Sequence, residues 1–347
     1  MMKIAGAEHS KLWLKKLMKP IFENRINGFN HQNGLNGLVA APFTAMRPDG
    51  SLNLEMIPLQ ATRLAENGVN GAFVCGTTGE GLSLTTEERL QVAEHWMKAA
   101  PQELKVIVHV AHNSLGESRK LAVHAQQIGA YAIASIGPTF FRPASVEQLM
   151  DFCVPVAAAA PTLPFYYYHM PAMTGVNLPM VDFLRLGSIR IPNLAGIKFT
   201  DENLMNYVQC LNFEDGRFNI LFGRDEILLA ALALGAMGAV GSTYNYMAPI
   251  YRKVMESFAT GDMSEARRWQ NLSIQIIAVM ARHGGLPAGK AMMKIIGLDC
   301  GPVRPPLKNL SANELESLQQ ELERVGFPNQ IPKMDQNCKK LAPSVRV

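Results

Sequence analysis

Eight short apolar segments recur along the chain from residue 35 onward, and each is followed by a longer segment with helical spacing. The apolar segments are rich in Val, Ile, Phe and Tyr and do not alternate strictly with polar residues, which is typical of strands buried on both faces. They begin at Leu35, Asn70, Leu104, Ala130, Leu163, Leu194, Phe218 and Gly238. Eight strand–helix units predict an α/β fold of the closed (β/α)8 type, the TIM barrel.

Helix start signals lie between the apolar segments. Thr85 with Glu88 and Ser114 with Glu117 have the spacing of a capping box, in which two side chains bond reciprocally to free N–H groups. An open doubly wound sheet is the alternative fold, but it usually carries a glycine-rich phosphate turn after its first strand. Here the first strand runs into Pro42 without such a turn, so the barrel is favoured.

The chain divides into four predicted regions. Residues 1–34 form an N-terminal extension that we expect to be loosely ordered. The barrel occupies residues 35–247, and a C-terminal helical appendage follows at 248–328, where only helical patterns remain. Residues 329–347 form a polar tail.

Composition excludes several classes of function. The 33 basic and 29 acidic residues leave a net charge of only +4, which is too even to suggest nucleic-acid binding. No stretch approaches the ~20 uncharged apolar residues that a membrane span needs. The five cysteines are scattered along the sequence, which indicates free thiols in a reducing compartment. We therefore expect a cytoplasmic protein. His109 and His112 have no carboxylate cluster beside them, so no metal site is predicted.

The candidate catalytic residue is a lysine in an apolar strand. In this fold the active site lies at the C-terminal ends of the strands, and Lys198 lies near such an end, between Ile197 and Phe199. Burial would lower its pKa and leave a neutral amine able to attack a ketone and form an imine. The alternative is a lysine that extends out of the strand end to reach solvent.

Tyr168 is the second candidate. Strand alternation places Tyr166 and Tyr168 on one face and Tyr167 on the other, and Tyr168 is the nearest of the three to the C-terminal mouth. There a phenol can act as general acid and base beside an imine. The alternative is an aromatic core residue whose hydroxyl is hydrogen-bonded.

Two further strand ends carry polar groups. The turn from Gly76 to Gly79 lets backbone N–H groups approach an anion, and Thr77 and Thr78 add hydroxyl donors suited to a carboxylate. An ordinary strand-to-helix turn is the alternative. Asp225, after the seventh strand, fits either a substrate contact or the N-cap of the following helix.

Together these residues resemble the N-acetylneuraminate lyase and dihydrodipicolinate synthase superfamily. The resemblance covers roughly residues 35–307 and rests on the GTTGE turn, on the tyrosine followed by Pro171 to Gly175, and on Lys198-Phe199-Thr200. FYYYHMPAMTG, FGRDE and AVGSTYNY are similar to the sialic acid lyase branch.

The resemblance implies a role for each candidate. Lys198 forms the imine, Tyr168 transfers protons, and Thr77 and Thr78 bind the substrate carboxylate. The residues implied at the sugar end are Thr200, Gly223, Asp225, Glu226 and Ser242. It also implies a homotetramer that needs no cofactor or metal and cleaves sialic acid to pyruvate and N-acetylmannosamine.

Departures from the synthase branch narrow the prediction. Met173 stands where the synthases carry an arginine. Phe140 and Phe141 stand where the synthases and some bacterial lyases carry tyrosines, so the resemblance does not extend to a proton relay through a neighbouring subunit. Arg224 is an unusual charge for a pocket that binds a polyol. Two alternatives stay open: an aldolase or dehydratase acting on another 2-keto-3-deoxy sugar acid, and a non-catalytic barrel that binds sugar acids.

Overall fold

The computed structural model describes residues 34–329, and within them eight parallel strands form a closed barrel in sequence order. β1 pairs with β8 and so closes the sheet, which confirms the predicted (β/α)8 fold. The strands are β1 Gly37–Ala40, β2 Gly71–Val74, β3 Lys105–His109, β4 Ala132–Ser135, β5 Phe165–His169, β6 Leu194–Phe199, β7 Asn219–Phe222 and β8 Gly238–Gly241. Each lies within one of the eight predicted apolar segments.

The helices of the described residues cover the outside of the barrel and its C-terminal side. They are α1 Met56–Glu66, α2 Thr86–Ala99, α3 Leu115–Gln127, α4 Val146–Ala158, α5 Pro171–Thr174, α6 Met180–Arg190, α7 Leu204–Asn212, α8 Leu228–Ala233, α9 Tyr244–Ala259, α10 Met263–Arg282, α11 Leu286–Ile295 and α12 Ala312–Arg324. Three-residue to four-residue 3-10 turns lie at Gly81–Ser83, Phe213–Gly216 and Asp225–Ile227.

Of the two predicted capping boxes, the first is complete and the second is half formed. Thr85 and Glu88 form the complete capping box at the start of α2. Ser114 accepts a hydrogen bond from the Glu117 N–H at the start of α3.

Strand alternation separates two hydrophobic clusters. Tyr166 and Tyr168 belong to the cluster inside the barrel, together with Phe73 and Leu221. Tyr167 instead belongs to the cluster between the strands and the helices. The predicted division of the three tyrosines is therefore observed, and it brings Tyr168 into the barrel mouth.

The helix α9 crosses the predicted boundary at residue 247. It begins directly after β8 and packs against β1 and α1, so it is the eighth helix of the barrel rather than the start of an appendage. Helices α10, α11 and α12 then pack on one another, and α10 contacts α9. The predicted loose extension and polar tail lie almost entirely outside the described residues.

No helix within residues 34–329 is long and apolar enough to cross a membrane. Cys75, Cys153, Cys210 and Cys300 are buried free thiols.

Candidate active site

A cavity of about 240 Å³ opens at the C-terminal ends of the strands. Every residue that the sequence analysis proposed for the site lines it: Thr77, Thr78, Tyr168, Lys198, Thr200, Gly223, Asp225, Glu226 and Ser242. Residues that are up to 165 positions apart in sequence thus share one pocket, because parallel strands end on the same rim of a barrel.

Lys198 lies on β6 with its amine between two aromatic rings. Its Nζ is 4.0 Å from the centre of the Phe73 ring and 3.9 Å from that of Tyr168. Burial lowers the pKa of Lys198 to about 7, while the negative charge of Asp225 acts in the opposite direction. The amine does not extend into solvent, and near pH 7 a large fraction of it is neutral and nucleophilic.

Tyr168 on β5 lies directly opposite Lys198 in the strand register. Its hydroxyl donates to Met170 Sδ at 2.8 Å and lies 3.3 Å from Thr77 Oγ1, from which it can accept. Burial raises the pKa of Tyr168 to about 12, so the free site holds a protonated phenol beside the amine.

The turn after β2 is fixed by contacts at its far end. Glu80 has a left-handed backbone conformation with φ of 52° and a buried carboxylate. One carboxylate oxygen lies 2.8 Å from Lys290 Nζ, and the other accepts from the Arg304 N–H at 2.8 Å. Helix α11 and the loop that follows it thereby hold the turn that presents Thr77 and Thr78.

Asp225 does not cap the helix that follows it. Helix α8 begins at Leu228, and the Asp225 carboxylate instead accepts from Thr243 N at 3.0 Å and from Thr243 Oγ1 at 2.6 Å. Burial raises the pKa of Asp225 to about 6, and the two bonds from Thr243 partly offset this rise. Its Oδ1 is buried without a hydrogen-bond partner in residues 34–329.

Two glycines make room for these groups. A Cβ on Gly241 would lie 1.8 Å from Asp225 Oδ1, and a Cβ on Gly223 would lie 2.0 Å from Thr200 Oγ1. Any larger residue at either position would displace the polar side chain. Thr200 Oγ1, like Asp225 Oδ1, is buried and has no hydrogen-bond partner in the part of the chain described. Buried polar atoms of this kind are rare unless a ligand or water satisfies them.

The charge of Arg224 is compensated by two carboxylates. Its guanidinium lies 3.3 Å from Glu226 Oε1 and 3.3 Å from Glu202 Oε1. Arg224 therefore connects the loops after β6 and β7, and it holds Glu226 at the rim of the pocket.

Several residues at the site were not predicted from the sequence. Phe73 packs against the Lys198 amine. The cavity lining also includes Met280, Gly285 and Leu286, which lie in the region predicted as an appendage. No local pattern marks these positions, since α10 and α11 reach the barrel mouth only through tertiary packing.

Phe140, Phe141 and Met173 lie apart from the cavity lining. They are 78%, 84% and 64% exposed, and the two phenylalanine rings form an edge-to-face pair with centres 4.9 Å apart. Phe140 and Phe141 thus form an exposed aromatic pair.

Comparison with known proteins places the chain among characterised relatives. Residues 34–325 match the model of the dihydrodipicolinate synthetase family. The chain is 44% identical over 300 residues to the N-acetylneuraminate lyase of Gallus gallus. The matched region covers 85% of this chain and 97% of that protein.

Solved structures give a similar result. N-acetylneuraminate lyase from Proteus mirabilis superposes with a TM-score of 0.83 at 41% identity, covering 85% of this chain and 100% of that one. The sialic acid aldolase from Aliivibrio salmonicida superposes with a TM-score of 0.83 at 42% identity, covering 85% of this chain and 98% of that one. The resemblance inferred from the sequence motifs agrees with these similarities.

Proposed function

The chain belongs to the dihydrodipicolinate synthetase family, and we propose that it is a Schiff-base aldolase that cleaves N-acetylneuraminate to pyruvate and N-acetylmannosamine. The observation that carries the proposal is the Lys198 amine, buried at the mouth of the barrel against Tyr168 with its pKa lowered to about 7. Relatives at 42–44% identity that bear the name N-acetylneuraminate lyase support the choice of substrate.

Lys198 begins the reaction. Its neutral amine attacks the C2 ketone of the open-chain 2-keto acid, and loss of water gives a protonated imine. The Tyr168 phenol gives its proton to the departing hydroxyl, which leaves as water. The positive charge of the iminium beside it stabilises the resulting phenolate.

Tyr168 then acts as the base. It accepts the proton of the C4 hydroxyl as the C3–C4 bond breaks, and the bonding electrons pass to the iminium nitrogen. N-acetylmannosamine leaves with its aldehyde at the carbon that was C4 of the substrate. A pyruvate enamine stays on Lys198. Tyr168 returns its proton to C3, and water hydrolyses the imine to release pyruvate.

The two ends of the substrate fit the two sides of the pocket. The Thr77 and Thr78 hydroxyls and the backbone of their turn bind the carboxylate and stabilise charge in a site from which most water is excluded. Thr200, the Gly223 backbone, Asp225, Glu226 and Ser242 accept and donate hydrogen bonds at the sugar end. A lysine imine supplies the electron sink itself, so the mechanism uses no further group.

Borohydride trapping tests the covalent step. Incubation with pyruvate and borohydride should add one reduced pyruvate to Lys198, seen by peptide mass spectrometry. The Lys198→Arg variant is the matched control and should not be labelled, because arginine stays protonated and cannot attack a carbonyl. Labelling of the parent at another residue, or no labelling, would refute the mechanism.

A substrate panel tests the specificity. N-acetylneuraminate and 2-keto-3-deoxygluconate should be compared by the rate of pyruvate release, and we expect N-acetylneuraminate to have the higher kcat/KM. A preference for 2-keto-3-deoxygluconate would move the protein to the alternative aldolases.

We also propose that the protein is a cytoplasmic homotetramer. The exposed Phe140–Phe141 pair supports assembly, since exposed apolar groups that lie together on a surface mark interaction sites. The four described thiols are unpaired, as expected in a reducing compartment. Sedimentation of the parent and of a Phe140→Ser/Phe141→Ser variant would test the assembly.

A further inference from the structure

Gln270, on helix α10, lies outside the cavity lining but is bonded to the loop that carries two of its residues. Its side chain is 5% exposed, and it faces the segment from Asp225 to Leu229. This segment follows β7 and contains the Asp225–Ile227 turn and the start of α8. Gln270 lies 41–45 residues away from it in sequence.

Three hydrogen bonds join Gln270 to this loop. Its Nε2 donates to the carbonyl oxygens of Asp225 and Glu226, each at 3.1 Å. Its Oε1 accepts from the Leu229 N–H at 2.9 Å. Ser273 fixes the amide from the other side, since its Oγ accepts from Nε2 at 2.8 Å and donates to the Gln270 carbonyl at 2.7 Å.

An amide of this length suits the loop chemically. The Leu229 N–H lies in the first turn of α8, where backbone donors have no partner within the helix. A buried donor or acceptor left without a partner is costly, and one glutamine supplies both a donor and an acceptor. A carboxylate at this position would face two carbonyl oxygens, and an apolar side chain would bond to none of these groups.

The loop is thus held from two sides. Gln270 fixes the backbone of Asp225 and Glu226, while Thr243 fixes the Asp225 carboxylate through bonds of 3.0 and 2.6 Å. The remaining oxygen of Asp225 is left without a partner in residues 34–329. A small displacement of this backbone would therefore move the two carboxylates relative to Lys198 on the neighbouring strand β6.

We propose that Gln270 is a positioning residue for substrate specificity, which places Asp225 and Glu226 to receive the hydroxyls at the sugar end without touching the substrate itself. This inference rests on the proposed aldolase function. It separates the two halves of the reaction, because imine formation takes place on the Lys198 amine, and the loop after β7 acts on that amine only through the charge of Asp225.

The test compares two reactions of the same full-length variants. Gln270→Met keeps a similar volume but removes all three loop bonds. We expect its kcat/KM for N-acetylneuraminate to fall roughly 10- to 100-fold, as misplacement of binding groups by about 1 Å does. Most of the fall should appear as a higher KM, because contacts at the sugar end hold the substrate and the transition state alike. The rate of pyruvate–imine formation, measured by borohydride trapping at Lys198, should stay within about twofold of the parent.

Controls separate positioning from a loss of structure. Ile276→Val removes one methylene from a buried position of the same helix without affecting a hydrogen bond, and it should leave both rates unchanged. If Gln270→Met is insoluble, Gln270→Asn keeps the amide but shortens it, and it should show the same separation of the two rates.

The outcomes are distinct. A parallel fall in cleavage and imine formation, or no fall in either, would overturn the assignment of Gln270. A parent enzyme that forms the imine but does not cleave N-acetylneuraminate would refute the proposed function instead.

Discussion

The carboxylate of Asp225 offers a test in which activity and stability should change in opposite directions. In the variant Asp225→Asn the side chain keeps its shape, and its amide oxygen can still accept from Thr243 N and Oγ1, now 3.0 and 2.6 Å from the carboxylate. What the variant loses is the negative charge. We therefore expect the protein to fold normally and to form the pyruvate imine at Lys198.

Cleavage should nevertheless fall. A hydrogen bond to a charged group contributes about 1.5–3 kcal/mol, so losing the charge corresponds to a drop of about 10- to 150-fold in kcat/KM for N-acetylneuraminate. The same charge raises the pKa of Lys198. Without it the pKa of Lys198 falls below about 7, and imine formation should persist to lower pH than in the parent.

Stability should rise at neutral pH. The pKa of Asp225 rises from 3.8 to about 6 in the folded protein, so this group favours folding fully below about pH 4, and its contribution is lost as the pH rises through 6. At 1.36 kcal/mol for each pKa unit, the loss is about 3 kcal/mol. Asparagine carries no charge, so its variant should regain a contribution of this order above pH 6.

Three measurements decide the matter. Pyruvate release gives kcat/KM, borohydride trapping gives the imine, and urea unfolding at pH 5 and pH 8 gives the stability difference. A variant that cleaves N-acetylneuraminate as fast as the parent would show that Asp225 does not bind the sugar. A stability gain that is the same at both pH values would refute the electrostatic explanation.

Three more predictions follow from the site geometry. Gly241→Ala should displace Asp225, since the new Cβ would lie 1.8 Å from its Oδ1. The rate of cleavage should fall at least tenfold while borohydride trapping at Lys198 persists. Unchanged kinetics would contradict this expectation. Imine formation at saturating pyruvate should rise about tenfold between pH 6 and pH 8, as the amine of pKa about 7 loses its proton; a flat profile would argue against a neutral-amine nucleophile. Lys290→Met leaves the buried Glu80 carboxylate unpaired and should lower the free energy of unfolding by about 3–5 kcal/mol; urea unfolding will show whether the loss is below 1 kcal/mol, which would contradict a stabilising role of this ion pair.

The sequence by itself determined the barrel and the part of the pocket around Lys198. The eight apolar segments specified the strands, because strands buried on both faces need continuous apolar sequence. Alternation along β5 placed Tyr168 inside the barrel and Tyr167 outside, because side chains in a strand point to opposite faces in turn. Lys198, Tyr168, Thr77 and Thr78 could be found from the sequence because each lies at or just beyond a strand end, and the fold brings those ends together.

Only the tertiary structure decided how the site is supported. In sequence, Asp225 fitted either a substrate contact or a helix N-cap, and the structure shows that its carboxylate bonds to Thr243, directly before helix α9. Gln270 and Lys290 reach the pocket loops from helices that begin after β8. Local sequence patterns report which face of a strand or helix is apolar, whereas a hydrogen bond between residues 45 or 210 positions apart exists only after the helices have packed on the barrel.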